Sequence, residues 1–213
     1  MKILFWAVDC QQDFINPDGK LCVKGAEEIR PNLKRLTELA NKVDGIQVVS
    51  TGDFHNKDSK EIANIPDFKT TWPEHCMEGS EGAEFIDETK PERGKYTTCV
   101  APKKGVVSVQ DISNAKNVVI FKDDFDVFKG NIWTGSVLQI INPDLVIVYG
   151  VASNICVNFA VLGILKNNFK VIVVKDAIKE LPDLPVDELI SNWESQGVEL
   201  KTTNEIEEMI TKK

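Results

Sequence analysis

Cys156 is the side chain of this 213-residue chain best suited to nucleophilic chemistry. It lies in the segment GVASNICV, where a predicted strand passes into a predicted helix. The dipole at the start of a helix favours a thiolate, and backbone N–H groups in the same turn can stabilise an oxyanion. A lone cysteine between Ile155 and Val157 is also typical of an inert, buried side chain, so this segment alone leaves two interpretations open. We interpret the other four cysteines as structural: Cys10, Cys22, Cys76 and Cys99.

The two histidines, His55 and His75, fall in one stretch of low periodicity. His55 stands two residues after Asp53, and an extended backbone would place both side chains on the same side. Two imidazoles and a carboxylate are ligands that suit a divalent metal of borderline softness. Each histidine by itself is also compatible with an ordinary surface or core position. If a metal takes both, a cysteine nucleophile needs another base, and Asp9 is the nearest choice.

Short β-branched runs alternate along the chain with stretches of helical period. Strands are predicted over residues 2–8, 47–50, 118–121, 145–149, 170–174 and 198–201, and helices over 30–43, 132–141, 155–167, 186–196 and from 204 onward. Continuous apolar strands between helices are typical of a parallel sheet that is covered on both faces. We therefore predict the α/β class, with three α/β/α layers and a central, mostly parallel sheet of about six strands.

This fold class brings the residues that follow the strands to one edge of the sheet. In open α/β sheets, ligands bind beyond the carboxyl ends of the strands. Asp9, Asp53, Lys122 and the turn before Cys156 all follow predicted strands. Lys122 has an alternative interpretation as a surface lysine paired with one of the aspartates that follow it, since such pairs are common and contribute little to stability.

The composition excludes several classes of protein. Hydrophobic residues make up 42% of the chain, which is enough for a sizeable core. The 33 acidic and 25 basic residues give a net charge of -8, which disfavours binding to nucleic acid or anionic membranes. No transmembrane or signal-peptide pattern is present, so we expect a cytoplasmic protein. We expect a single domain over residues 1–213, with a loop-rich insertion at roughly 52–117 that acts as a functional loop or lid.

Five segments in order along the chain carry a family pattern. They are VDCQQDF at 8–14, DFH at 53–55, WPEHCMEGSEGAEF at 72–85, FKDDFDVF at 121–128 and GVASNICV at 150–157. Together they resemble the isochorismatase-like cysteine hydrolases, and within them the nicotinamidase (pyrazinamidase) branch. The DFH and WPEHC segments distinguish nicotinamidases from metal-free relatives. The chain departs from many relatives at 126–128, where it has Asp-Val-Phe in place of Tyr-Ser-x-Phe.

The resemblance implies a catalytic triad of Cys156, Asp9 and Lys122. In that scheme Asp9 takes the thiol proton and later passes it to the leaving ammonia, while Lys122 holds the charges in register. The resemblance also implies a cis peptide bond between Val151 and Ala152. The backbone amides of Ala152 and Cys156 would then form the oxyanion hole.

The resemblance further implies one divalent metal ion, either zinc, iron or manganese, which orients a pyridine ring. The implied ligands are Asp53, His55 and His75, with Glu61 near or on the metal. Relatives carry either a histidine or a carboxylate at the position of Glu61, which leaves its role as a ligand open. Phe14 and Trp72 correspond to the aromatic walls that enclose the substrate ring.

The implied activity is that of a nicotinamidase, which hydrolyses nicotinamide to nicotinate and ammonia through a cysteine thioester in NAD biosynthesis and pyridine nucleotide salvage. The expected partner is this small amide, with no nucleic acid or membrane, and a homo-oligomer is left open. Another amidohydrolase of the superfamily, acting on a carbamoyl or ureido substrate, is one alternative. A catalytically silent binding module is another, although all three triad positions are filled. No GxGxxG follows the first strand, which disfavours a dinucleotide-binding domain.

Overall fold

The computed structural model describes residues 1–91, 97–101, 107–182 and 186–212. Its strands are β1 (Ile3–Val8), β2 (Gln47–Asp53), β3 (Thr97–Val100), β4 (Asn117–Lys122), β5 (Leu145–Val151), β6 (Val171–Lys179) and β7 (Glu199–Lys201). They form one sheet in the order β3-β4-β2-β1-β5-β6-β7. Every pairing in this sheet is parallel. The two strands beside β1 are therefore β2 and β5.

The helices are α1 (Gln12–Ile15), α2 (Arg30–Lys42), α3 (Val109–Asn114), α4 (Val127–Gly130), α5 (Thr134–Ile141), α6 (Asn158–Lys166), α7 (Asp187–Ser195) and α8 (Thr203–Thr211). Short 3₁₀ turns cover Ala26–Ile29 and Glu81–Ala83, and a π-helical turn covers Ser153–Val157. None of the helices within the described ranges is long and apolar enough to cross a membrane.

The sheet is buried on both faces, as its apolar strands require. Along β1, Phe5 belongs to the core on one face and Trp6 to the core on the other, because successive side chains of a strand point in opposite directions. Helices α2 and α8 contribute to the first core, whereas α3, α5, α6 and α7 contribute to the second. This arrangement of three layers confirms the predicted α/β class.

Two predicted strands are longer in the structure at their carboxyl ends, on the edge of the sheet where the site residues lie. β2 continues to Asp53 and β6 continues to Lys179, beyond the apolar runs from which they were predicted. The stretch 52–117 is less irregular than predicted, since it contains β3 and α3. β3 is an edge strand of four residues, and so short a segment has little period of its own to reveal it. With β3 the sheet has seven strands.

The carboxyl ends of four neighbouring strands meet at one point of this edge. Val8 pairs with both Thr51 and Gly150, so β1, β2 and β5 end level with one another. Asp53 and Lys122 pair at the ends of β2 and β4. Gly150 has a φ of 118°, and a Cβ there would lie 2.1 Å from the carbonyl oxygen of Val8, so this close approach requires glycine.

Candidate active and metal site

Lys122 is the centre of the first side-chain cluster at this edge. Its Nζ lies 3.0 Å from Oδ2 of Asp9 and 3.7 Å from Sγ of Cys156, and it also forms an ion pair with Oδ1 of Asp53. All four residues are buried. We call Asp9, Asp53, Lys122 and Cys156 the lysine cluster. Two carboxylates facing one ammonium compensate its buried charge, and this burial contradicts the alternative interpretation of Lys122 as a surface lysine.

The lysine cluster keeps the Lys122 ammonium charged. Burial favours the neutral amine, but Asp53 and Asp9 outweigh it and raise the pKa of Lys122 well above its ordinary value. Burial has the opposite sign for an acid, so it raises the pKa of Asp9 although Lys122 and the hydroxyl of Thr51 act against it. The Thr51 hydroxyl donates to Oδ1 of Asp9 at 2.7 Å. A carboxylate with a raised pKa is a stronger base, as proton transfer from a thiol requires.

Cys156 rests as a thiol in this environment. It lies in the π-helical turn Ser153–Val157, and the α-helix proper begins only at Asn158. Burial raises the pKa of Cys156 well above its ordinary value, with Lys122 opposing that shift. Burial therefore opposes the thiolate that the start of a helix favours, so a base is needed to remove the proton. The peptide bond between Val151 and Ala152 is cis, as the resemblance implied.

The second cluster consists of buried residues with nitrogen and oxygen ligand atoms. We call Asp53, His55, Glu61 and His75 the histidine cluster. One ligand atom from each lies within 4.8 Å of the others. Nε2 of His55 is 3.6 Å from Oδ2 of Asp53 and 3.4 Å from Oε2 of Glu61, and Nε2 of His75 is 3.5 Å from the same Asp53 oxygen. These spacings leave room for an ion between the four side chains.

The hydrogen bonding of the histidine cluster fits a divalent metal. Both ring nitrogens of His55 are buried without a hydrogen-bond partner among the described residues, which is costly unless an ion satisfies one of them. Nδ1 of His75 lies 2.7 Å from the carbonyl oxygen of Pro73. A carbonyl only accepts, so Nδ1 carries the proton and Nε2 is left with a lone pair for a metal. Two imidazoles and two carboxylates are a donor set that zinc, iron and manganese accept.

Asp53 belongs to both clusters and connects them. Its Oδ1 faces the Lys122 ammonium, while its Oδ2 faces the two histidines. Burial opposes ionisation, but the charge of Lys122, and next the proximity of His55 and His75, hold the pKa of Asp53 well below its ordinary value. Asp53 therefore stays a carboxylate, and its position affects the lysine cluster and the histidine cluster together.

Glu61 is held in the histidine cluster from outside. Its Oε1 accepts a hydrogen bond of 2.5 Å from the backbone N–H of Phe125, and its backbone oxygen accepts one of 2.6 Å from Trp72. Burial, and next the nearby charge of Asp53, raise the pKa of Glu61 to about 7. Glu61 thus supplies a carboxylate at the edge of the cluster and ties two aromatic residues to it.

A cleft of about 390 Å³, counting its open mouth, leads to both clusters. Phe14 and Trp72, the two walls named from the resemblance, line it, and the Phe14 ring lies 5.4 Å from the ring of His75. Further lining residues that the sequence did not single out are Leu21, Val23, Phe125, Ile155 and Leu181. Phe125 stands inside the FKDDFDVF segment, which is the only sequence signal that could have pointed to it. The cleft is mostly apolar, with the reactive groups at its end.

The structure brings every residue of the expected site to this one place. The lysine cluster brings together Asp9, Lys122 and Cys156, and the histidine cluster brings together Asp53, His55, Glu61 and His75. The cleft that leads from solvent to both clusters is lined by Phe14 and Trp72. Two buried side chains that support the site, Gln11 and Thr51, were missed. Their contacts join positions about 42 residues apart, which no local pattern shows.

Fold and site define an α/β protein with a buried Cys–Asp–Lys arrangement beside a four-residue ligand set. The sequence model of the isochorismatase domain family matches residues 3–106 and 96–205 of the chain. The chain therefore belongs to the isochorismatase family.

The chain is also similar to individual proteins of this kind. The nicotinamidase/pyrazinamidase of Mycobacterium tuberculosis is 33% identical over an alignment of 106 residues that covers 46% of this chain and 55% of that relative's length. The nicotinamidase of Schizosaccharomyces pombe is 26% identical over an alignment of 191 residues that covers 81% of this chain and 80% of the relative. The crystal structure of the pyrazinamidase of Pyrococcus horikoshii in complex with zinc has the same fold, with a TM-score of 0.73, 24% identity, and coverage of 95% of this chain and 99% of that one.

Proposed function

We propose that the protein is a nicotinamidase that hydrolyses nicotinamide to nicotinate and ammonia. Membership of the isochorismatase family supports an amidohydrolase, and nicotinamidases among its relatives support this substrate. The observation that carries the proposal is the sharing of Asp53 between a cysteine–lysine cluster and a metal-type ligand set at the end of an aromatic cleft. This arrangement combines a nucleophile with a means of orienting a flat ring.

The proposed reaction begins with transfer of the Cys156 thiol proton to Asp9. Sγ then attacks the amide carbon, and the N–H groups of Ala152 and Cys156 stabilise the oxyanion that forms. Asp9 returns its proton to the nitrogen, the C–N bond breaks, and ammonia leaves a thioester on Cys156. Asp9 next takes a proton from water, whose oxygen attacks the thioester carbon. The C–S bond breaks, Asp9 gives its proton to Sγ to restore the thiol, and the carboxylic acid leaves as nicotinate after losing its proton to solvent. The Lys122 ammonium keeps the negative charges in place throughout.

The residues that would hold a divalent metal are Asp53, His55 and His75, with Glu61 as a further ligand. A metal bound there would act as a Lewis acid with affinity for a ring nitrogen, and this affinity would orient a pyridine carboxamide. Phe14 and Trp72 would enclose the ring by aromatic contact. We propose that this machinery belongs to a single domain over residues 1–213 that acts in the cytoplasm in pyridine nucleotide salvage.

The test is ammonia release from nicotinamide by the purified, metal-loaded protein. Cys156→Ala should abolish release while metal content stays unchanged, and Cys22→Ala, which removes a partly buried thiol outside the lysine cluster, should retain it. Treatment with a chelator should also suppress release, and addition of metal should restore it. Turnover by Cys156→Ala would contradict the covalent mechanism. If the folded, metal-loaded protein hydrolysed a carbamoyl or ureido compound but not nicotinamide, the proposed substrate would be wrong and the alternative substrate class would take its place.

A further inference from the structure

Gln11 makes an unusual set of contacts just beyond the end of β1. Its side chain is fully buried. Nε2 donates to the backbone oxygens of Asp53 and Ala83, both at 2.8 Å, and Oε1 accepts from the backbone N–H of Asp53 at 2.7 Å. All three partners are main-chain atoms, and two of them belong to one residue. The amide of Gln11 therefore holds Asp53 at its backbone rather than at its carboxylate.

These bonds continue the sheet where β1 has already ended. The backbone N–H of Asp9 donates to the oxygen of Thr51 at 3.1 Å, which shows that this edge of β2 faces β1. In a parallel ladder, residues two apart along a strand direct their N–H and C=O groups to the same neighbour. Asp53 lies two residues beyond Thr51, where β1 has already ended. There the Gln11 side chain makes the hydrogen bonds to the Asp53 backbone that β1 would otherwise make. The position of Asp53 thus depends on a side chain that acts as a strand partner.

Gly52 supplies the space that this side chain needs. A Cβ at position 52 would lie 3.2 Å from Cδ of Gln11 and 3.1 Å from Cζ of Phe85. Contacts this close would force the Gln11 amide or the Phe85 ring to move. The glycine and the glutamine therefore form one packing unit at the end of β2.

We propose that Gln11 is a positioning residue that sets Asp53 for the lysine cluster and the histidine cluster at once. This inference rests on the proposed function and adds to it the residue that aligns its shared carboxylate. A small rotation of the Asp53 backbone would move Oδ1 away from Lys122 and Oδ2 away from His55 and His75. Loss of the Gln11 amide should therefore weaken metal binding and catalysis together, although Gln11 touches neither a metal ligand's donor atoms nor Cys156.

Gln47 offers a matched control at the other end of the same strand. It is also buried, and its Nε2 donates to the backbone oxygens of Ile112 at 3.0 Å and Ala115 at 2.7 Å. Gln47 and Gln11 thus both use a buried side-chain amide to join β2 to the backbone of a neighbouring segment. Only Gln11 does so at the end of β2 that carries Asp53.

The experiment compares Gln11→Met, Gln11→Asn and Gln47→Met with the wild-type chain. Methionine keeps the length of glutamine without its hydrogen bonds, and asparagine keeps the amide but withdraws it by one carbon–carbon bond. Zinc affinity is measured by chelator competition, and kcat and KM for nicotinamide are measured with zinc in excess. Both Gln11 variants should bind zinc about 10- to 100-fold more weakly, as is typical when the support of a metal ligand is lost. They should also lower kcat when zinc is saturating, because Lys122 loses its alignment with Asp53.

Gln47→Met should lower the midpoint of chemical unfolding as Gln11→Met does, but leave zinc affinity and kcat unchanged. The inference is overturned if the Gln11 variants bind zinc as tightly as the wild type, or if Gln47→Met loses as much affinity. Should Gln11→Met fail to fold, Gln11→Asn decides the question by the same criterion. A wild-type chain that binds no zinc overturns the inference as well. Zinc binding without hydrolysis of nicotinamide refutes only the proposed function, since the affinity comparison needs no substrate.

Discussion

The lysine cluster and the histidine cluster share Asp53 but are built from different kinds of structure. Asp53 and Lys122 end strands β2 and β4, Asp9 directly follows β1, and Cys156 lies in the turn that follows β5. In the histidine cluster only Asp53 belongs to a strand. The other members, His55, Glu61 and His75, lie on the long segment between β2 and β3.

This difference has a consequence for stability. Four paired strands determine the spacing of the lysine cluster through a continuous hydrogen-bond ladder. The segment that carries the histidines is tied by isolated bridges, between His55 and Met77 and between Ile62 and Trp72. Since an isolated bridge resists opening less than a strand ladder does, the bound metal should contribute more to the order of the histidine cluster. The lysine cluster should keep its geometry without metal.

The largest effect is expected from Lys122→Met. Removal of the ammonium leaves Asp9 and Asp53 buried without a cation, so hydrolysis should be lost and the free energy of unfolding should fall by about 3–5 kcal/mol. Amide turnover and urea unfolding in the presence of chelator measure the two effects. The matched control is Lys116→Met just before the start of β4, where Nζ donates to the backbone oxygens of Ala40 at 2.6 Å and Val43 at 3.0 Å. That variant should keep its turnover, and a Lys122→Met variant that also kept it would remove Lys122 from the mechanism.

A smaller loss of stability is expected when His55 and His75 are both changed to Ala. The double variant should bind no zinc and show a greatly raised KM for nicotinamide, because the ring loses its orienting ion. In chelator, its free energy of unfolding should fall by about 1–3 kcal/mol, less than for Lys122→Met, since the sheet edge is intact. Metal analysis measures the zinc content, kinetics measure KM for nicotinamide, and urea unfolding measures the free energy of unfolding. Unchanged zinc content would show that these histidines are not ligands, and Gln47→Met is the control for a buried polar change elsewhere.

The smallest effect concerns the pH dependence of the metal-free protein. Burial raises the pKa of Glu61 from 4.5 to about 7, so its stabilising contribution is full below pH 4.5 and is lost as pH rises through 7. Between pH 5 and 8 this loss should reach at most about 3 kcal/mol, and Glu61→Gln should abolish it. Urea unfolding in chelator at both pH values measures the difference.

Glu88 provides a control of opposite sign for the same experiment. Burial opposes its ionisation, but the hydrogen-bonded Arg30 guanidinium lowers the pKa of Glu88, so its contribution is lost as pH falls. Glu88→Gln should therefore leave the destabilisation at high pH in place. A Glu61→Gln protein whose stability still falls between pH 5 and 8 by the wild-type amount would show that another buried acid is responsible.

Much of the fold was predictable because its cause is local. Each central strand is a run of β-branched and aliphatic residues, and the helices between them show an apolar period, so the α/β class and the buried sheet follow from neighbouring residues. β3 was not predictable, since four residues at a sheet edge carry little period and are recruited by pairing with β4. The extension of β2 to Asp53 was missed for a similar reason, because polar residues at a strand end are held by their partners and not by propensity.

For the site, the sequence by itself determined which residue types follow the strands and, through the resemblance, which roles they were expected to have. The tertiary structure alone decided that Asp53 divides its two oxygens between Lys122 and the histidines. It also decided that Cys156 rests as a thiol and that Gln11 completes the end of β2. The physical reason is common to all three: burial, charge compensation and hydrogen bonding depend on groups that lie tens of residues apart in the chain and meet only when the strands pair.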